Sequence, residues 1–174
     1  AYYAHASAGC LHIRPLINLK SIAGIEAMVE MADAAAEMAR RFGGVMSGEH
    51  GDGLQRSVLN EVIFGPELYG AMRELKSIFD PNGLMNPGKI VDAPPMTENL
   101  RYGPKYNPIQ IKTHIDFSRE GGFMGAVEMC NGAAVCRKLK AGTMCPSYMA
   151  TKDENDTTRG RANALRNALD SRVL

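Results

Sequence analysis

Across residues 21–42 the apolar side chains Ile22, Ile25, Met28, Val29, Ala32, Ala35, Ala36, Ala39 and Phe42 return at steps of three and four. That is the period of a helix with one apolar face, whereas a strand would alternate at every second residue. Ser21 is suited to cap the start with its hydroxyl, and Gly43-Gly44 to end the helix in left-handed backbone. A long apolar stripe needs an opposing surface, so the chain is committed to a packed, layered fold.

At 174 residues and 45% hydrophobic, the chain can bury one core, or one core and a smaller appendage. Its 20 basic and 19 acidic residues nearly cancel. Overall charge therefore gives no reason to expect nucleic acid or an anionic membrane as partner. No apolar run approaches the roughly 20 residues that span a bilayer. The opening "AYYAHASAGC" has neither the basic start nor the apolar core of a signal peptide. A soluble, reducing, cytoplasmic setting is the expectation. The chain begins without methionine and "AYYAHA" reads as the middle of a fold, so a piece of a larger polypeptide is also expected.

Leu11 and Ile13 alternate with Cys10, His12 and Arg14 as in a short strand, and "VMSGEHGDG" reads as a brief strand entering a glycine-rich turn. A second helix is expected over residues 66–79, with Pro66 in the first turn and Leu68, Met72, Leu75 and Phe79 on one stripe. "DPNG" then stops it as a turn. The fold class is α+β: an antiparallel sheet with helices on one face, followed by a small α-helical segment. Residues 1–92 form the first domain, the proline-rich residues 93–122 a linker, and residues 123–174 the start of a second domain. In that last part "TTRGRANALRNALD" is a helix with Ala162, Leu165, Ala168 and Leu169 on one side, capped by Thr157 or Thr158.

Two of the four histidines, His5 and His12, lie seven residues apart. In one unbroken strand an odd separation sends them to opposite faces. The small residues Ala6, Ser7, Ala8 and Gly9 between them signal a bend that permits convergence. With the adjacent pair Glu49-His50 they supply two imidazoles and a carboxylate, the donor set of a metal site with an open position. Structural hydrogen bonding is the other reading of such histidines, and a solvated turn residue the other reading of Glu49. Cys10, beside this set, reads as a small buried thiol or as a reactive one.

Three of the four cysteines, Cys130, Cys136 and Cys145, crowd together, with Cys145 followed by proline. Clustered iron-sulfur ligands in bacterial ferredoxins read C-x2-C-x2-C-x3-C-P. Here Cys130 and Cys136 match the first and third positions, Ala133 occupies the second, and the Cys-Pro pair arrives late. Structural thiols are the alternative, and zinc is disfavoured because no fourth cysteine or histidine lies nearby.

The ordered set "AHASAGCLHIRP", "SGEHGDG" and "FDPNGLMNPGKI" resembles the C-terminal part of the FAD-linked oxidase family, which includes D-lactate dehydrogenases, glycolate oxidase flavin subunits and D-2-hydroxyglutarate dehydrogenases. The resemblance covers residues 1 to about 90. It implies that His5, His12 and Glu49 bind a divalent metal, zinc or manganese, and that His50 is the catalytic base. Metal ligation of a substrate hydroxyl lowers its pKa, imidazole takes the proton, and hydride leaves for the flavin. Between its histidines the family's first motif reads glycine-aspartate-glycine-asparagine, where this chain has Ser7-Ala8-Gly9-Cys10.

Asn86, Gly88 and Lys89 fall in a closing motif that lies against FAD in the family, or in a simple Asn-Pro turn. Arg14 and Arg56 are candidates to clamp a substrate carboxylate, with solvated arginines as the alternative. Residues 125–170 are similar to the start of the iron-sulfur half of fused FAD/iron-sulfur oxidoreductases. That similarity implies a 4Fe-4S cluster on Cys130, Cys136 and Cys145, with a fourth ligand from elsewhere. Arg159 and Arg161 either balance cluster charge or cap a solvated helix start, where a cation needs a partner.

Together these features describe part of an FAD- and iron-sulfur-dependent dehydrogenase of a D-2-hydroxy acid. Its expected partners are a small 2-hydroxy-acid substrate, an electron acceptor (a quinone or an electron carrier) and the remainder of the same polypeptide, with no nucleic acid. Peripheral membrane association through the acceptor is consistent with this, and the isolated chain is expected to be inactive. The alternative is an electron-transfer or assembly module with a vestigial flavin site.

Overall fold

The computed structural model describes residues 2–140 and 142–171. The chain divides into two units, residues 1–104 and 105–174, and the division falls inside the proline-rich stretch.

The first unit opens with a hairpin of β1 (Tyr2–His5) and β2 (Cys10–Ile13), paired antiparallel as Tyr2 to Ile13, Tyr3 to His12, Ala4 to Leu11 and His5 to Cys10. Ala6–Ala8 make a turn of 3-10 helix, and Gly9 closes it at φ 62°, a left-handed value that glycine adopts without steric cost. Residues opposite one another in an antiparallel pair share a face. Tyr3, His5, Cys10 and His12 therefore lie on one side of the hairpin, and Tyr2, Ala4, Leu11 and Ile13 on the other.

Helix α1 spans Ile22–Arg41. The Ser21 hydroxyl accepts from the Gly24 amide at 3.1 Å. At the other end Gly43 N–H donates to Arg40 and Gly44 N–H to Ala39, with Gly43 at φ 68°, the double bond pattern of a Schellman stop. Both ends agree with the sequence expectation. Two short helical turns, α2 (Gly53–Arg56) and a 3-10 segment Ser57–Leu59, lead into α3 (Asn60–Phe79). Gly65 breaks α3 at φ 79°, ψ 163°, so Pro66 begins the second helical stretch, as expected from a residue with a preset φ and no amide hydrogen. The helical turns before Gly65 had no counterpart in the sequence reading, because no apolar period marks them.

Two expectations are corrected here. Residues 45–47 form no strand, since a strand requires a neighbour to pair with and none is present among the described residues. The stripe of α3 forms, but Leu68, Leu75 and Phe79 are exposed. Periodicity decides which side chains share a face; it does not supply the surface that covers them. The core of this unit is Ala36, Leu59 and Met96, with Met28, Val29, Ala32, Met46 and Ile63 packed around it.

The second unit is helical: α4 (Phe123–Glu128), α5 (Pro146–Thr151) and α6 (Thr158–Ala168), with 3-10 turns at Ser118–Glu120, Val135–Arg137 and Glu154–Asp156. Thr157, fully buried, caps α6 by accepting from Gly160 N at 2.7 Å. Met124, Val127, Tyr106 and Tyr148 are buried in this unit. Pro108 pairs with Asp170 in a single bridge, where Ile109 N donates to Leu169 O at 2.8 Å. Among the described residues no helix is long and apolar enough to cross a membrane.

Candidate functional site

Hairpin register resolves the odd spacing of the histidines. Chain reversal at residues 6–9 places His5 opposite Cys10, next-but-one along β2 from His12, so both imidazoles project from one face as a diagonal pair. Their ring centroids are 5.0 Å apart. The loop that follows α1 brings Glu49 to this face. Its Oε2 lies 3.4 Å from Nε2 of His5 and its Oε1 lies 3.0 Å from Nε2 of His12.

Among the described residues, His5, His12 and Glu49 form the one group of three potential ligands whose donor atoms all lie within 4.8 Å of one another. Donors about 2.0–2.1 Å from a tetrahedral zinc stand about 3.3 Å from each other. The two nitrogen-to-oxygen separations straddle that value, so the donor set fits a divalent metal in spacing as well as in chemistry. Stability alone is a poor reason for the cluster. His5 and Glu49 are more than a third exposed, and ion pairs at that exposure contribute about 0–1 kcal/mol.

His50 also presents Nε2 to Glu49 Oε1, at 2.9 Å, and its ring stands 5.6 Å from that of His12. It is the most exposed of the three imidazoles, at 68%, which leaves it open to a small molecule arriving at the ligand set. Tyr3 had no role in the sequence reading. Its ring meets His5 edge-on at 5.0 Å and His12 at 5.2 Å, holding both imidazoles from the hairpin side. The signal was available, because Tyr3 is two residues from His5 and so shares its face.

Arg14 directly follows β2. Arg56, half-buried on α2, donates from Nη1 to Gly51 O at 3.2 Å and so braces the loop carrying Glu49-His50. Asn86, Gly88 and Lys89 lie together in a loop whose ends turn through left-handed backbone at Asn86 (φ 48°) and Gly88 (φ 71°). Lys89 Nζ reaches Asn86 Oδ1 at 3.4 Å. A Cβ at Gly88 would stand 3.2 Å from Pro94 Cδ, so glycine is needed there for both space and φ.

Two buried polar residues that the sequence did not reveal latch this loop to the start of α3. Ser57 Oγ accepts from Ile90 N at 2.8 Å and donates to Gly53 O. Asn60 Nδ2 donates to Ile90 O at 2.9 Å and to Asp52 Oδ2 at 3.3 Å. At the end of α3, Asp80 receives the amides of Leu84 and Met85 at 2.8 and 2.9 Å. The Lys76 ammonium at 2.5 Å, with those two amides, holds the Asp80 carboxyl below the usual carboxylate range against the opposing effect of burial.

In the second unit Cys136 and Cys145 are buried together with Tyr148. Cys130 and Cys136 line a hollow of ≈ 370 Å³ with Thr158 and Arg159. The Cys145 sulfur sits at the start of α6, 2.8 Å from Thr158 Oγ1 and 3.1 Å from Thr158 N. Those two groups, with smaller help from Cys136 and the Arg161 charge, hold the Cys145 thiol below its ordinary pKa although burial opposes them. Arg159 finds the partner that a cation at a helix start requires: Nε meets Glu154 Oε1 at 2.7 Å and Nη1 donates to Gly132 O. Arg161 faces Asp156 at 3.7 Å.

Residues 1–90 match the family model described as FAD linked oxidases, C-terminal domain. A D-2-hydroxyglutarate dehydrogenase of Pseudomonas putida is 34% identical over 169 residues, and one of Haemophilus influenzae is 33% identical over 174 residues; each comparison covers 94% of this chain and 16% of the relative. A D-lactate dehydrogenase of Archaeoglobus fulgidus is 39% identical over 90 residues, 51% of this chain and 19% of that protein. The chain thus spans about a sixth of the length of the first two relatives. No solved structure matches it significantly. With the hairpin histidines, the Glu49-His50 loop and the glycine-bearing closing loop all inside the matched region, the chain belongs to the FAD-linked oxidases, as part of their C-terminal domain.

Proposed function

We propose that the full-length protein is an FAD-dependent dehydrogenase of a D-2-hydroxy acid, and that this chain contributes the metal ligands, the base and an electron outlet. The observation that carries the reading is the convergence of His5, His12 and Glu49, with His50 beside them, in a member of this family. The relatives named for D-2-hydroxyglutarate and D-lactate support the substrate class.

His5, His12 and Glu49 hold zinc or manganese, the two imidazoles as neutral donors and the carboxylate as the anionic one. When bound, the metal supplies Lewis acidity toward the substrate hydroxyl, and FAD supplies the hydride acceptor. His50 Nε2 takes the hydroxyl proton, while Arg14 and Arg56 hold the substrate carboxylate, for which a guanidinium offers two parallel donors. Loss of that proton and of the α-hydride converts the 2-hydroxy acid to a 2-oxo acid. Asn86, Gly88 and Lys89 form the loop that lies against the flavin, braced by Ser57 and Asn60.

Cys130, Cys136 and Cys145 are thiolate ligands in this proposal, with a fourth ligand from elsewhere. A 4Fe-4S cluster there would pass electrons singly toward a quinone or electron carrier. Support comes from the joint burial of Cys136 and Cys145, and from the hydrogen bonds that favour thiolate at Cys145. The deciding experiment is turnover of D-lactate, glycolate and D-2-hydroxyglutarate by the FAD-loaded, full-length protein with an artificial electron acceptor. His50→Ala is expected to abolish turnover while metal content stays unchanged. Undiminished turnover in that variant would overturn the base assignment, and no turnover of any 2-hydroxy acid by the wild type would overturn the function.

A further inference from the structure

Cys10 projects from the same hairpin face as His5 and His12, directly opposite His5 in the ladder. Its Sγ lies 3.8 Å from Nε2 of His12, the nitrogen that also faces Glu49 at 3.0 Å. The sulfur fills the space over Gly48, where a Cβ would stand 3.0 Å from it. Gly48 precedes Glu49, so the sulfur stands between β2 and the loop that delivers the carboxylate.

For bond lengths of about 2.3 Å to thiolate and about 2.0–2.1 Å to imidazole, two ligands on one tetrahedral zinc stand about 3.6 Å apart. The sulfur-to-nitrogen separation at Cys10 and His12 is close to that value. Sγ is outside the trio whose atoms all lie within 4.8 Å, so ligation draws it inward by rotation about its Cα–Cβ bond.

We infer that Cys10 is a fourth ligand of the metal centre and makes it a zinc site rather than a manganese site. The inference rests on the reading of His5, His12 and Glu49 as ligands. One Zn–S bond forms, and the thiol proton leaves to solvent. Soft thiolate selects zinc, whereas a set of imidazole and carboxylate alone also accommodates manganese. A thiolate that occupies one of zinc's four positions also means that substrate enters by displacing it or by raising the coordination number to five.

X-ray absorption at the zinc edge tests this on the full-length protein loaded with zinc alone. The wild type is expected to show a sulfur scatterer at about 2.3 Å beside the nitrogen and oxygen shell at about 2.0–2.2 Å. Cys10→Ala is expected to retain zinc and lose the sulfur shell. A wild-type spectrum with nitrogen and oxygen only, or a sulfur shell that survives in Cys10→Ala, overturns the role of Cys10. The wild-type spectrum decides the first point even if the variant fails to fold. Failure of the underlying site looks different: the wild type binds no zinc, or binds it equally well after His5→Ala and Glu49→Ala.

Discussion

Nε2 of His12 lies 3.0 Å from Oε1 of Glu49, joining the hairpin at the start of the chain to the loop that follows α1. Each residue comes from an element that could fold without the other. Helix α1, fixed at both ends by its caps, sets where the loop returns, and the hairpin register sets which way the imidazoles face. Removing one side of such a junction has a consequence for binding that exceeds its consequence for stability.

Glu49→Ala and His12→Ala are each expected to reduce zinc affinity by more than about 100-fold, since even the outer partners of metal ligands cost 10–100-fold when removed. Competition with a chelator of known affinity measures this. The melting temperature without metal is expected to change little, because these contacts are partly exposed. Equal zinc retention in both variants would mean that the cluster is held together only by its hydrogen bonds.

Tyr3→Leu is expected to weaken zinc binding about tenfold, and Tyr3→Phe to restore it, because the contacts at 5.0 and 5.2 Å are made by the ring and not by the hydroxyl. Titration of zinc into the two variants separates a packing role from a role of the phenol.

Asn60→Ala leaves the Ile90 carbonyl without its side-chain donor at a site where Asn60 is only 2% exposed. A loss of about 1–3 kcal/mol is expected, read from the urea midpoint. Amide hydrogen exchange is expected to rise over residues 86–90, while α1 keeps its protection.

Asp80 gives the first unit a predictable response to acid. The Lys76 ammonium and the Leu84 and Met85 amides lower its pKa in the folded chain, so the native state favours the ionised form. Stability from this group is fully present above the ordinary carboxylate pKa and is lost as the pH falls through the lowered folded value. Asp80→Asn is expected to flatten this acid limb in denaturation curves taken from neutral pH downward. An acid limb of unchanged slope would assign the response to other carboxylates.

Cys145 is expected to respond oppositely to the loss of its partner. Thr158→Val removes the hydroxyl beside the sulfur and leaves the amide, so the thiol pKa moves back upward. The pH midpoint of Cys145 alkylation, followed by mass spectrometry in cluster-free protein, is expected to shift to higher pH.

Much of this molecule could be read in order along the chain. The period across residues 21–42, Ser21 and Gly43-Gly44 determined α1 and both its caps, because these signals act within one or two turns of backbone. Thr157 and Pro66 announced helix starts for the same local reason. His5, His12, Glu49 and His50 were legible as a donor set from residue type and from family resemblance, but spacing alone left their convergence undecided. Tertiary structure decided it, because a reversal at Gly9 turns an odd separation into a shared face, and only then can one carboxylate reach both imidazoles. The buried Ser57 and Asn60, the partner of Arg159 and the uncovered stripe of α3 were equally beyond the sequence. Each depends on a group distant along the chain, or on a surface that no local pattern encodes.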